Sequence, residues 1–150
     1  MTYEDFKKLK RRALEDLEFN EDNAIELSAK VPNLYQKYLS LYIGELEKYK
    51  KMTLKRDRMY GELLRHEKVN GDIEWKSKDE YNSVIMTDDN YYDLKLKTQE
   101  QEHIVKFLEE TLDNIKRMSF NIKNFIDLKK FLAGMSWYYK YNKLSVYNRM

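Results

Sequence analysis

The sequence predicts an all-α fold, two long helices preceded by shorter ones. Three observations carry this. Only one proline and four glycines punctuate 150 residues, of which 36% are charged, so few positions force the backbone out of a helix. Apolar residues recur at helical spacing over 33–68 and again over 99–134, runs far longer than a strand. Helix start and stop signals fall beside these runs, at Thr2, Pro32, Asn70-Gly71, Ser77 and Gly134. The organisation that follows is a single helical domain, 1–150, with N-terminal helices over 1–31, a long helix over 33–68, an acidic connecting region over 69–98, a C-terminal helix over 99–134 and a basic aromatic tail over 135–150.

The first helix runs from Thr2 to Leu17. Thr2 suits the N-cap, Glu4 and Asp5 suit the positive end, and Phe6, Leu9, Ala13, Leu14 and Leu17 share a face. Lys7, Lys8, Lys10, Arg11 and Arg12 make its polar side, which reads as a solvated face or as a phosphate contact. The polar segment 20–23 breaks the chain, and a short helix from Ala24 to about Lys30 precedes Pro32. Proline removes a backbone donor and suits the first turn, so it is read as the start of the next helix.

In that long helix Tyr35, Tyr38, Leu39, Tyr42, Leu46, Tyr49, Met52, Met59, Tyr60 and Leu63 fall on one broad stripe. Two such helices in so short a chain favour self-association, because a stripe left in water is costly. Asn70-Gly71 closes the helix. Within the acidic segment that follows, Ser77-Lys78-Asp79-Glu80 fits a capping box for a short helix ending at Ile85 or Met86, although a short strand pair over 72–90 also fits. Thr87-Asp88-Asp89-Asn90 reads as the loop before the last helix. There the stripe includes Ile104, Val105, Leu108, Leu112, Ile115, Met118, Ile122, Phe125, Ile126 and Leu132, too wide for a two-stranded seam. It suits a bundle core or an oligomer-forming helix equally. Gly134 stands where a left-handed C′ residue would end it.

Charge is separated along the chain although the net charge is only +2. From Asn114 onward eight bases face one acid, and from Val69 to Asp113 twelve acids face five bases. Such separation points to a polyanion on one surface and another partner, or a neighbouring subunit, on another. The absence of cysteine excludes a disulfide framework, a zinc–thiolate site and a thiol nucleophile. No apolar run approaches the roughly 20 residues needed to span a bilayer, and no secretory leader pattern opens the chain, so a soluble, intracellular-type protein without a membrane partner is expected.

Nothing in the residues supports catalysis. No glycine-rich loop ends in Lys-Ser/Thr, so a P-loop is absent. Glu100-x-x-His103 has the spacing of a carboxylate-bridged metal site but lacks the required second pair, since Leu63 stands three residues before His66. No metal and no cofactor are expected. The binding signal is stronger: Lys48, Lys50, Lys51, Lys55, Arg56 and Arg58 crowd about three helical turns against Asp57 alone, with Tyr49 and Tyr60 among them. Cations that neutralise phosphates beside aromatic faces that accept unstacked bases are what single-stranded nucleic acid requires. Taken alone, Tyr49 and Tyr60 read better as core packing. Candidate single-stranded DNA contacts are therefore Lys50, Lys51, Lys55, Arg56, Arg58 and Tyr60.

Two stretches carry a family resemblance. Leu112-Asp113-Asn114-Ile115-Lys116, Phe120-Asn121-Ile122-Lys123, Asp127-Leu128, Phe131 and Ala133-Gly134 resemble the C-terminal helix of the UvsY-type recombination mediators of tailed bacteriophages. Leu54-Lys55-Arg56-Asp57-Arg58-Met59-Tyr60-Gly61 is similar to that family's leucine-lysine motif, with Asp57 where the motif has an arginine and Arg56 and Arg58 on either side. The resemblance implies a non-enzymatic accessory protein of phage recombination, repair and replication, working in the cytoplasm of the infected bacterial host. It implies binding to single-stranded DNA, displacement of the single-strand-binding protein and loading of a RecA-like recombinase. It further implies a ring or open-barrel homo-oligomer held through the C-terminal helix, on Leu108, Leu112, Ile115, Met118, Ile122, Phe125, Ile126 and Leu132. The competing reading is a structural helical oligomer that binds no nucleic acid.

Overall fold

The computed structural model describes residues 1–71 and 77–147, with side chains as far as Tyr138. Four helices follow in order, α1 Tyr3–Asp16, α2 Ala24–Asn70, α3 Lys78–Ile85 and α4 Asp89–Tyr147, and no strand occurs among the described residues. The all-α reading holds.

Local chemistry sets most of the helix starts. Thr2 caps α1 in a reciprocal box, its hydroxyl accepting from the Asp5 amide at 3.1 Å while the Asp5 carboxylate accepts from the Thr2 amide at 3.1 Å. The Thr2 hydroxyl, donating to the Asp5 carboxylate at 2.7 Å, and then the Thr2 amide hold the Asp5 carboxyl below its ordinary pKa. Ser77 and Glu80 form the second box, at 2.5 and 3.3 Å, and start α3 as the sequence predicts. The segment before α2 is tied by Asn20 and Asn23. The Asn23 side chain accepts from the Asn20 amide at 2.9 Å and donates to the Glu18 carbonyl at 2.8 Å, and the Asn23 carbonyl accepts the first helical bond, from Leu27, at 2.8 Å.

Three boundaries differ from the sequence reading. Pro32 starts no new helix: it lies inside α2, so the short helix expected over 24–30 is the opening of the long one. Proline costs the bond to the carbonyl four residues earlier, that of Ser28, and Ser28 is an exposed residue, where losing that bond costs less than it would in the core. Helix α4 begins at Asp89 rather than near 99, its first turn capped by the Asp88 carboxylate, which accepts from the Tyr91 amide at 2.8 Å. Its early stripe is carried by Tyr91, Thr98 and Gln101, all buried but not aliphatic. Thr98 satisfies its hydroxyl on the Leu94 carbonyl at 2.7 Å, and Gln101 donates to the Glu45 carbonyl at 3.0 Å and its carboxylate at 2.6 Å. Gly134, finally, ends nothing. It has no positive φ, and α4 continues through it into the expected tail as far as Tyr147. A glycine stops a helix only where the chain needs the left-handed conformation, and no such need arises here. Gly71 also has no positive φ and differs in its surroundings: a Cβ there would meet the Glu67 carbonyl oxygen at 2.4 Å, and α2 does end beside it.

Where one domain is expected from length, the described contacts fall into two compact units, Tyr38–Glu110 with Met1, and Thr2–Lys37 with the chain from Thr111 onward. In the first, Tyr38, Ile85, Tyr91, Ile104, Val105 and Leu108 are buried, and the Tyr60 ring lies 6.0 Å from that of Tyr91. In the second, Leu27, Met118 and Ile122 form a core that Leu17, Phe19, Val31, Leu34 and Ile126 surround, with Phe19 edge-on to Phe125 at 5.9 Å. Lys37 pairs with Asp16 at 2.6 Å in the same unit.

The two glycines give a direct test of these helix ends. Gly134→Ala should increase hydrogen-exchange protection around position 134 about threefold, because alanine is favoured in a helix interior by roughly 0.5–1 kcal/mol and its methyl meets open space. Gly71→Ala should instead lower stability in urea unfolding, by roughly 1 kcal/mol or more.

Candidate nucleic-acid interface

The basic run lies in mid-α2, and the helical period divides it between two faces. Tyr49, Met52, Arg56, Met59, Tyr60 and Leu63 are half-buried on the inner side, while Lys48, Lys50, Lys51, Lys55 and Arg58 are exposed on the outer. Lys48, Lys51 and Lys55 line one shallow groove together with Gly44, Glu47 and Met52. Spacings of three and four residues bring the three lysines to one face, and Gly44 opens it: nothing lies within 4 Å of where its Cβ would be. Lys51 is paired with Glu47 at 2.8 Å. Lys48, Lys50 and Lys55 make no ion pair among the described residues. Leu54, 70% exposed, stands among these cations, and Ile43 is exposed one turn before Glu47.

Of the six predicted DNA contacts, four reach this outer surface, Lys50, Lys51, Lys55 and Arg58, and Arg58 is paired with Glu62 at 2.9 Å. Two do not. Arg56 is turned inward and held by Asp57, its Nε and Nη2 donating to one carboxylate oxygen at 3.0 and 2.8 Å. The Asp57 bond raises the guanidinium's pKa against the opposing effect of burial. Tyr60 is engaged twice over: its hydroxyl donates to the Asn82 side chain of α3, and its ring packs against Tyr91, whose own pKa is raised by burial. Lys48 is the residue that the predicted set omits, although its spacing from Lys51 and Lys55 is visible in the sequence once all three are placed on one helical face.

The predicted oligomerisation stripe is likewise redistributed. Leu108, Leu112, Ile115, Met118 and Ile122 are buried within the chain, Phe125 and Ile126 are half-buried, and only Leu132 is exposed. Those seven side chains are packed in the fold of a single chain. From 127 to 138 every residue of α4 is exposed, and a second apolar set, Phe120, Leu128, Phe131 and Met135, recurs on the side opposite Ile115 and Ile122. Phe120 and Phe131 are 65% and 62% exposed, more than a lone chain ordinarily leaves in water as a continuous helical stripe. Trp137 and Tyr138 extend the exposed aromatic surface, while Lys140, Lys143, Tyr139, Tyr141 and Tyr147 have no described side chains, and Arg149 and Asp72, Glu74 and Lys76 of the acidic region lie outside the described residues.

Among the described residues no group of three or more His, Cys, Asp or Glu is placed to hold a metal, and no helix is long and apolar enough to cross a membrane. Fold and surface define a long-helix protein whose distinguishing features are a cation-lined outer helix face and an exposed apolar helix end. The profile of the family described as recombination, repair and ssDNA binding protein UvsY matches residues 12–135, and the chain belongs to that family. Solved structures agree on the fold. Three crystal structures of the bacteriophage T4 recombination mediator protein UvsY are similar, each covered over 98% of its own length: lattice type II at TM-score 0.73, 21% identity and 89% of this chain, lattice type IV at 0.73, 19% and 87%, and lattice type I at 0.69, 19% and 83%. No curated protein sequence matches the chain.

The engagement of Tyr60 predicts its own signature. Tyr60→Phe should cost about 0.5–1.5 kcal/mol in urea unfolding, since the Asn82 side chain loses its partner at a half-buried position while the ring contact with Tyr91 survives.

Proposed function

We propose that this chain is a recombination mediator that binds single-stranded DNA, helps to displace single-strand-binding protein from it and promotes loading of a RecA-like recombinase. Membership of the UvsY family supports the role. The observation that carries the DNA contact is the outer face of α2, where Lys48 and Lys55 line the groove at Gly44, exposed and without ion-pair partners among the described residues, and Lys50 is exposed outside it. With Tyr60 engaged inside the fold, this surface grips phosphates, and Leu54 supplies only a small apolar contact. A grip of that kind is independent of base sequence and weak per subunit, each lysine exchanging condensed counterions for a phosphate. Weak contacts suit a mediator, which must hold a strand long enough to reshape it and then release it to a filament.

Repetition in an oligomer makes such contacts sufficient. The second apolar stripe of α4, centred on Phe131, is the surface on which we place the contact with further copies of this chain, in a ring or open barrel. Several lysine faces on one assembly then act on one strand at high effective concentration, which raises overall affinity without any new contact.

Two measurements test this reading. Replacing Lys48, Lys51 and Lys55 by Ala should lower affinity for a labelled single-stranded oligonucleotide in fluorescence anisotropy and reduce the slope of log K against log salt by about 2, from roughly 0.7 per phosphate contact on single strands. Tyr60→Phe should leave that slope unchanged. Intact assemblies that bind no single-stranded DNA even at low salt would leave a helical scaffold instead. In sedimentation velocity, Phe131→Glu with Met135→Glu should convert the wild-type assembly to monomer with its helical circular dichroism retained; an unchanged mass would remove the stripe from the subunit contact.

A further inference from the structure

The five cations of α1, Lys7, Lys8, Lys10, Arg11 and Arg12, are unused by the function proposed above, and they lie in the other compact unit. By count the helix is nearly neutral, since Glu4, Asp5, Glu15 and Asp16 oppose them. The structure allocates those acids unevenly. Asp5 is committed to the Thr2 capping box, Glu4 to Lys7 at 3.2 Å, and Asp16 to Lys37 at 2.6 Å. Glu15 lines the cleft that Asp16, Glu18, Asn23, Glu26 and Lys30 share. Among the cations, Lys7 lies over the Tyr3 ring at 4.6 Å and Lys10 over the Phe6 ring at 4.4 Å, so both are drawn along the helix surface.

Lys8, Arg11 and Arg12 remain. All three are exposed, none makes an ion pair among the described residues, and the Asp5 carboxylate near Lys8 is already bound by Thr2. Spacings of three and four residues set Arg11 and Arg12 beside Lys8 on α1; Lys8 and Arg11 lie opposite the buried face of Phe6, Leu9 and Ala13, and Arg12 lies on its flank. That buried face fixes the helix, so the cations are presented on a rigid support. Two arginines, with forked donors matched to phosphate oxygens, make the set better suited to a sugar–phosphate backbone than to a solvated surface, which lysines serve as well.

We infer that Lys8, Arg11 and Arg12 of α1 form a second phosphate-binding site for single-stranded nucleic acid, distinct from the lysine face of α2. The inference rests on the single-stranded DNA reading above and adds a second site to each chain. A strand held at both sites is retained when either contact opens, and it can be passed in steps rather than released at once.

The test is fluorescence anisotropy of a labelled oligothymidylate with the full chain across a salt series, comparing wild type, Lys8→Ala/Arg11→Ala/Arg12→Ala and the charge-keeping Lys8→Arg/Arg11→Lys/Arg12→Lys. The alanine variant should lose roughly tenfold in affinity at low salt and about 2 in the slope of log K against log salt, with circular dichroism and sedimentation unchanged; the charge-keeping variant should retain the wild-type slope. If the alanine variant binds with wild-type affinity and slope while the α2 lysine variant does not, the α1 site is overturned and the α2 reading stands. If wild type itself binds no single-stranded DNA, both fall.

Discussion

A helix can turn one stripe toward its own chain, and α4 carries two. The inner one, from Tyr91 through Leu108 and Ile115 to Ile122, is buried, and the arrangement of the rest follows from that burial. Each fully buried aliphatic side chain contributes about 1.5–3 kcal/mol, so several in one register outweigh any alternative pairing of the helix. Once that face is committed, α2 is fixed by what it packs against, and its outer side is left for charge. The outer stripe of α4 is left as well. Phe120, Phe131 and Met135 cannot be covered by the face that Ile115 and Ile122 already occupy.

The basic run shows how packing reassigns residues of one chemical type. Arg56 and Arg58 are two residues apart and chemically identical, yet one is turned inward against Asp57 and the other outward against Glu62. The difference is the roughly 200° of helical rotation between them. Asp57, which departs from the family's motif, has a local use here: it accepts two hydrogen bonds from Arg56 and lets a guanidinium sit on the half-buried side of α2. Tyr60 is committed in the same way, linking α2 to α3 through Asn82 and to α4 through Tyr91. Apart from Arg58, which is paired with Glu62, the cationic surface that remains is built from lysines. Their strongly hydrated ammonium groups and flexible stems suit a mobile, sequence-independent grip on phosphate better than a fixed one.

Several features were legible in the chain because they are local. The Thr2 cap and the Ser77 capping box depend on near neighbours, the closing role of Gly71 on one carbonyl, and the tyrosine stripe of α2 on period alone; all are as read, and the structure adds the reciprocal bond from Asp5 to the Thr2 cap. The early part of α4 was missed because its buried positions are Tyr91, Thr98 and Gln101, whose polar atoms are satisfied by partners that include Glu45, 56 residues away from Gln101. Gly134 and Pro32 were read as boundaries because those residue types often are. Whether they act so depends on whether the backbone needs a left-handed residue or can forgo one hydrogen bond at an exposed residue, and neither is written in the residue itself.

The sequence by itself determined that the chain is helical, where α1 and α3 begin, and that a concentrated basic run and a long apolar stripe distinguish it, because helix period, caps and charge are properties of near neighbours. The tertiary structure decided which members of each set are available. It turned Arg56 and Tyr60 inward, brought Lys48 beside Lys51 and Lys55, enclosed Leu108 to Ile122, and left Phe131 and the Lys8–Arg12 face of α1 exposed. The physical reason is that availability is a matter of what packs against a side chain, and those partners come from segments far away in the chain.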